Sequence, residues 1–190
     1  DQNLALKGLQ WVYGGLRMGG KSYYALDLSD LEQPSLKFHI DPENAKIYKS
    51  GSSTPVSVPA LSYMGQSWSK PTLAYVKFGG VKKLVMFVGG GYDTGYESEN
   101  YVQNNTVGGG AGVYMFDANT GDLLWWTSAN ATEARGAEAY TNTSTNSINM
   151  KYSVVSQINA IDRDSDGLVD HLYFGDLRGQ TFRVEDRKST

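Results

Sequence analysis

The sequence predicts an all-β fold, and its glycine and aromatic content is the main indication. The 190 residues include 22 glycines and 13 tyrosines. Clusters of β-branched and aromatic residues alternate with short runs of Gly, Asn, Asp and Ser, which is the pattern of strands separated by turns. No long segment has the 3.6-residue periodicity of an amphipathic helix. We therefore expect many short strands.

An internal repeat organises these strands. Three times along the chain, a strand that ends in glycine is followed by a strand that ends in an acidic residue. The first strands of the pairs cover 9–15, 84–90 and 171–176, and the second strands cover 22–27, 113–117 and 180–185. Further strands at 71–76 and 123–126 complete the middle copy. Four consecutive strands are the content of one β-propeller blade.

The repeat predicts a fragment of a modified β-propeller that forms one domain over residues 1–190. Residues 9–40 are expected to hold three strands of one blade, 68–127 a whole blade and 152–185 three strands of another. About three blades, the first and last incomplete, are fewer than the four to eight that close a ring. The rest of the ring is therefore expected outside these residues. Two polar stretches, 92–110 and 129–150, are expected to be long loop insertions.

The segment from 162 to 170 has the pattern of a calcium-binding loop. Carboxylates at alternating positions can point inward together, and Gly167 at the sixth position allows the sharp turn that such a loop needs. Tyr173 stands where an EF-hand has its glutamate, and a strand follows, so a helix-loop-helix unit is not expected. The alternative is an acidic turn whose aspartates cap their own backbone. The predicted Ca²⁺ ligands are the carboxylates of Asp162, Asp164, Asp166 and Asp170 and the carbonyl of Leu168.

Composition narrows the classes of function. The formal net charge of −3 argues against a nucleic-acid or anionic-membrane partner. No apolar run reaches the roughly 18 residues of a membrane span, so no membrane insertion by this segment is expected. There is no cysteine, and the two histidines, His39 and His171, are far apart in sequence. No nucleophile, base and orienting residue can be assembled from these groups, so we expect no enzymatic activity.

Four motifs, in this order, carry a resemblance to a known family: residues 14–27, 65–71, 87–92 and 162–184. They resemble the C-terminal β-propeller domain of the PilY1/PilC family of type IV pilus biogenesis and adhesion proteins. The resemblance implies a pilus-tip protein at the bacterial cell surface, exported through the periplasm and outer membrane. It implies minor pilins at the pilus tip as partners, and a host or abiotic surface as a target of adhesion. It further implies that calcium at the loop favours pilus extension, that its loss permits retraction, and that the protein acts in twitching motility.

Two other propeller functions remain as alternatives. A carbohydrate-binding propeller would use exposed tryptophans to stack on sugar rings, and the candidates are Trp11, Trp68, Trp125 and Trp126. A quinoprotein is suggested by residues 117–125, which resemble the blade motif of quinone-dependent alcohol dehydrogenases. That motif shapes the blade, however, and a quinoprotein would also need a complete ring with a central cofactor cavity.

Overall fold

The computed structural model describes residues 8–103, 109–135 and 142–186. Within these ranges the regular structure consists of fourteen strands and three short 3₁₀ turns, so the all-β prediction is confirmed. The strands are β1 (Trp11–Gly15), β2 (Tyr23–Asp27), β3 (Ser35–Asp41), β4 (Lys46–Lys49), β5 (Val56–Ser57), β6 (Thr72–Phe78), β7 (Val81–Gly89), β8 (Val113–Asp117), β9 (Leu123–Ser128), β10 (Ala134–Arg135), β11 (Asn142–Asn146), β12 (Asn159–Ile161), β13 (His171–Gly175) and β14 (Thr181–Glu185). The 3₁₀ turns are Arg17–Gly19, Pro59–Tyr63 and Thr94–Glu97.

The strands form three separate sheets. The first has the order β1-β2-β3-β4-β5, the second β10-β11-β9-β8-β7-β6, and the third β12-β13-β14. Apart from β11, which pairs parallel with β9, neighbouring strands in these sheets pair antiparallel, and most of them are consecutive in the chain, as in the meander of a propeller blade. None of the described sheets closes on itself, and the arrangement agrees with the predicted partial propeller.

The second sheet lies between the other two, and the alternation of its side chains shows this. On β7, Met86 and Val88 belong to a core shared with the first sheet, whereas Val85 and Phe87 belong to a core shared with the third. All five residues of β8 are buried. Side chains on a strand alternate between the two faces, so a strand that is buried throughout must be covered on both. This is how a blade packs between two neighbours.

Two of the acidic residues that end the second strands of the repeat, Asp27 and Asp117, have a structural role in the turns. Asp117 Oδ1 accepts hydrogen bonds from the backbone N–H groups of Asn119 and Thr120, at 2.9 and 3.2 Å. In the first sheet, Asp27 Oδ1 accepts in the same way from the N–H of Ser29 at 2.9 Å. Aspartate favours such positions because its short side chain satisfies backbone donors two or three residues further on.

Two parts of the fold go beyond the sequence prediction. Strands β4 and β5 extend the first sheet past residue 40. Strands β10 and β11 occupy part of the 129–150 stretch for which a loop was expected, and β11 runs parallel to β9. Polar side chains bind this addition to the sheet: Trp125 Nε1 donates to Thr145 Oγ1 at 3.1 Å, and Thr127 Oγ1 donates to the Thr145 carbonyl at 3.0 Å.

The described part of the 92–110 insertion packs onto the sheets through buried polar groups. Gln103, which is 2 % exposed, accepts the backbone N–H of Ser153 at 2.7 Å. The hydroxyl of Tyr101 donates to Asp93, which is also buried. Residues 104–108 of the insertion lie outside the described residues. In the described ranges, no helix has the length and apolar character needed to cross a bilayer.

Candidate metal site

The predicted calcium loop connects β12 to β13 in the third sheet. It leaves β12 after Ile161 and enters β13 at His171. Two hydrogen bonds close its neck: the N–H of Asp170 donates to the Ile161 carbonyl at 2.8 Å, and the N–H of Arg163 donates to Asp170 Oδ2 at 2.7 Å. The ends of the loop are therefore fixed by the sheet and by the Asp170 carboxylate.

Inside the loop, the carboxylates accept backbone N–H groups. Asp162 Oδ2 accepts the N–H of Gly167 at 2.7 Å, which pulls the far side of the loop toward its first residue. Asp166 Oδ1 accepts the N–H of Leu168 at 2.8 Å, and Asp164 Oδ1 accepts the N–H of Asp166 at 3.3 Å. These contacts curl the backbone around the carboxylates.

Two residues in the left-handed region produce this curl. Gly167 has a φ of +81° and Ser165 a φ of +62°. The first is a conformation that glycine adopts without steric penalty. For Ser165 the left-handed conformation costs about 1–2 kcal/mol. Gly167, at the sixth position, therefore makes the sharp turn that the sequence predicted. Ser165 makes a second sharp turn, which the sequence did not indicate.

The donor set fits one cation. One carboxylate oxygen from each of Asp162, Asp164 and Asp166 lies within 4.8 Å of the others, and all three residues are exposed. Two oxygens that both lie 2.3–2.6 Å from a calcium ion can be at most about 5.2 Å apart. Hard carboxylate oxygens at this separation match the ligand preference of Ca²⁺. The group brings together three of the five predicted ligands, and Asp170 lies at the neck. The roles of all five residues as ligands stay predictions.

The loop also docks on the second sheet. The N–H of Val169 donates to the carbonyl of Tyr75 in β6 at 2.8 Å. The Val169 side chain is only 6 % exposed and shares a core with Val76 of the same strand. The last residues of the loop therefore belong to the contact between two sheets, although its carboxylates are exposed.

The tryptophans of the carbohydrate alternative are engaged in packing and hydrogen bonding. Trp126 is 9 % exposed, and its ring is stacked on Tyr114 at 5.6 Å between centroids. The Lys37 ammonium lies 3.5 Å from the ring centre of Trp11. Trp68 Nε1 donates to Gln66 Oε1 at 3.0 Å. Trp126 thus packs in the core, and the contacts of Trp11 and Trp68 offer no specific support for sugar stacking.

One side-chain pair was not anticipated from the sequence. His39 Nε2 lies 3.0 Å from Ser22 Oγ. The imidazole is stacked between Tyr24 and Tyr48, with centroid distances of 4.3 and 5.3 Å. Burial lowers the pKa of His39, although the negative charge of Asp41 opposes this. Only the register of β2 against β3 brings the pair together, so no local sequence signal could have revealed it.

The Ser22–His39 pair resembles the first two members of a hydrolase triad, but the next acid is engaged elsewhere. Asp41 Oδ1 accepts the N–H of Asn44 at 3.2 Å, and its Oδ2 accepts the Asn44 side-chain amide at 2.8 Å. A triad needs a carboxylate that orients the histidine through its second nitrogen. Asp41 instead caps the turn between β3 and β4.

Comparison with known proteins finds a solved structure with a similar fold. No family model matches the chain, and a search of curated proteins finds no match. Among solved structures, the chain is similar to the crystal structure of the Pseudomonas aeruginosa PilY1 C-terminal domain, with a TM-score of 0.56 and 22 % sequence identity. The match covers 92 % of this chain and 26 % of that structure, so the chain spans about a quarter of its length. The resemblance to PilY1 is thus confirmed as a similarity of fold: the described sheets are arranged as in part of that C-terminal domain.

Proposed function

We propose that this chain is a calcium-binding propeller module of a type IV pilus-associated protein. The observation that carries the proposal is the convergence of the Asp162, Asp164 and Asp166 carboxylates, on a loop bent at Gly167, in a chain with a PilY1-like fold. Asp170 and the Leu168 carbonyl complete the proposed ligand set, with water in the remaining positions.

The proposed role is in pilus assembly, in control of extension and retraction, and in surface adhesion. The protein would act at the bacterial cell surface, at the pilus tip, after export through the periplasm and outer membrane. Its proposed partners are minor pilins at the tip and a host or abiotic surface. The similarity of fold supports this assignment, and no enzymatic step is part of it.

The docking of the loop suggests how the cation would influence the domain. Without a cation, three carboxylates that lie close together repel one another, so ordering of the loop and binding are coupled. The end of the loop is attached to β6 through Val169 and Tyr75. Binding would therefore strengthen the contact between the second and third sheets. A cation can shift the domain between two states only by its different affinity for them.

Calcium binding is tested by titration calorimetry on the calcium-stripped domain. We expect heat of binding in the wild type and its loss in Asp164→Asn, which keeps the shape of the side chain and removes its charge. The matched control is Asp30→Asn, because Asp30 is an exposed aspartate of the β2–β3 connection that accepts the Glu32 N–H at 3.0 Å. Calcium should also raise the melting temperature of the wild type and of the control.

Absence of binding heat in the wild type at millimolar Ca²⁺ would contradict the proposal. If the wild type and Asp164→Asn bind calcium with equal affinity and heat, the binding site lies outside this loop. Both results are interpretable only if the variants have the wild-type circular dichroism spectrum.

The pilus role is tested in cells that produce the complete protein. Surface pili, twitching and adhesion are compared for wild type, Asp164→Asn and Asp30→Asn at matched protein levels. We expect fewer surface pili and less twitching for Asp164→Asn alone. Wild-type behaviour of Asp164→Asn, after its loss of calcium has been established in vitro, would make the loop a structural element without control over the pilus.

A further inference from the structure

A lysine of the second sheet lies against the acidic loop of the third. Lys82, an exposed residue at the start of β7, has its Nζ 3.4 Å from the position that a β-carbon on Gly167 would occupy. The ammonium also lies 4.7 Å from the centre of the Tyr75 ring. A cation is attracted to the face of an aromatic ring, so this contact helps to hold the lysine in place beside the loop.

A backbone hydrogen bond between the acidic loop and the β6–β7 hairpin fixes the position of Lys82 beside the loop. The carbonyl of Tyr75, the same residue whose ring lies beside Lys82, accepts the N–H of Val169. Tyr75 and Leu84 are partners across β6 and β7, and Lys82 lies on the same face as Leu84 because side chains alternate along a strand. One hairpin thus carries both the attachment point of the loop and the nearby positive charge.

The charge of Lys82 has opposite effects on the two states of the loop. In the metal-free loop it offsets part of the repulsion among the carboxylates at 162, 164 and 166. When a divalent cation is bound, the ammonium repels it. Since Lys82 is exposed, water and salt weaken both effects. Coulomb interaction of one charge with a divalent ion over several ångströms in water corresponds to an affinity change of about three- to tenfold.

We infer that Lys82 is a built-in counter-cation of the acidic loop, which stabilises the calcium-free loop and lowers its affinity for calcium. This inference rests on the proposed function, because it concerns the same site. Its consequence is a loop that releases calcium readily, as a reversible response to changes in the surrounding calcium concentration requires.

The chain offers a matched control in the adjacent residue. Lys83 lies on the opposite face of β7, and its Nζ donates to Asp117 Oδ2 at 3.3 Å. Lys82→Met and Lys83→Met therefore remove the same charge from neighbouring positions, but only the first removes it from the loop. Lys82→Arg retains the charge and serves as a second control.

The test is calcium titration of the stripped domain, with release into a chelator followed by stopped flow. We expect Lys82→Met to bind calcium about three- to tenfold more tightly and to release it more slowly. Lys83→Met and Lys82→Arg should stay within about twofold of the wild type. The effect of Lys82→Met should shrink when the salt concentration is raised from about 20 mM to about 500 mM, because the Debye length falls from ~20 Å to a few ångströms.

Each outcome decides one of the two proposals. If the wild type binds calcium and Lys82→Met binds it no more tightly than Lys83→Met, the role of Lys82 is refuted and the calcium site stands. Equal tightening in both variants would indicate a general effect of net charge and would likewise refute the specific role. If neither the wild type nor Lys82→Met binds calcium, both proposals fail.

Discussion

Gly89 at the end of β7 lies directly against the carbonyl oxygen of Val154. A β-carbon on Gly89 would be 2.2 Å from that oxygen and 2.8 Å from a methyl carbon of the valine side chain. The N–H of the nearby Gly91 donates to the same carbonyl at 3.0 Å. An equivalent contact occurs one sheet earlier, where a β-carbon on Gly15 would be 2.5 Å from the Ser67 carbonyl. In the first two pairs of the repeat, the glycine that ends the first strand thus lets the chain that leads to the next sheet pass closely.

The first prediction is that Gly89→Ala strongly destabilises the domain. Its β-carbon would meet backbone, which cannot move aside as a flexible side chain can, so we expect a loss of about 2 kcal/mol or more in the free energy of unfolding. The measurement is urea denaturation followed by tryptophan fluorescence.

Gly14→Ala is the matched control for this prediction. Gly14 is also a strand glycine next to the end of β1, but a β-carbon there would have no neighbour within 4 Å. Its free energy of unfolding should stay within about 0.5 kcal/mol of the wild type. Similar losses in the free energy of unfolding for both alanine variants would show that the backbone around Val154 moves aside to accommodate a β-carbon on residue 89.

Much of this architecture was predictable from the spacing of residues in the sequence. The paired strands of the repeat, the acids that cap their turns and the sharp bend at Gly167 each depend on a short local pattern. Local patterns predict local geometry well because turn residues such as Gly and Asp act on the backbone of their immediate neighbours. The convergence of Asp162, Asp164 and Asp166 belongs to the same class, since all three lie in one loop.

The features that the sequence did not reveal depend on contacts between distant segments. Strand β11, with its Asn, Thr and Ser residues, has no hydrophobic pattern of its own, and it is a strand because its backbone pairs with β9. The position of Lys82 beside Gly167 and the Ser22–His39 contact likewise arise from tertiary packing. Tertiary context of this kind routinely overrides local β-propensity.

The second prediction separates backbone strain from calcium binding. Gly167→Ala places a β-carbon in the left-handed region, at a φ of +81°, with only the flexible end of Lys82 nearby. We expect a strain of about 1–2 kcal/mol and, because the bend of the loop relaxes, calcium binding weakened by at least about tenfold. Calorimetry and thermal denaturation measure the two effects.

Gly179→Ala provides the comparison for that experiment. Gly179, in the turn before β14, has a φ of +87°, and a β-carbon there would have no neighbour within 4 Å, so its strain is similar. It should lose stability to about the same extent but keep wild-type calcium affinity. Weakened calcium binding in Gly179→Ala as well would attribute the effect to general destabilisation.

The third prediction is that the Ser22–His39 pair has no hydrolytic activity. The imidazole is held between two tyrosine rings, and the adjacent Asp41 accepts its hydrogen bonds from Asn44. Because Asp41 is engaged by Asn44, it does not orient His39 as the third member of a triad would. The purified domain should therefore cleave p-nitrophenyl acetate no faster than its Ser22→Ala variant. A faster rate in the wild type, with saturation kinetics and a rate that rises as His39 loses its proton, would establish an esterase.

The last prediction concerns the pH dependence of stability at His39. Burial lowers the pKa of this histidine in the folded domain, whereas in the unfolded chain it titrates near its ordinary value of about 6.5. Between these two pKa values the unfolded chain binds more protons than the folded one, so stability rises with pH through this window and is lost as the pH falls.

In His39→Phe the ring still stacks between Tyr24 and Tyr48 but cannot take up a proton. Urea denaturation of the calcium-free domain at pH 7.5 and pH 5 (~1 unit or more on either side of the unfolded value) should therefore show a larger loss of stability at pH 5 for the wild type than for His39→Phe. Contributions from the rest of the domain are common to both proteins and cancel in this comparison. Equal losses in the two proteins would mean that protonated His39 is accommodated between the tyrosines without penalty.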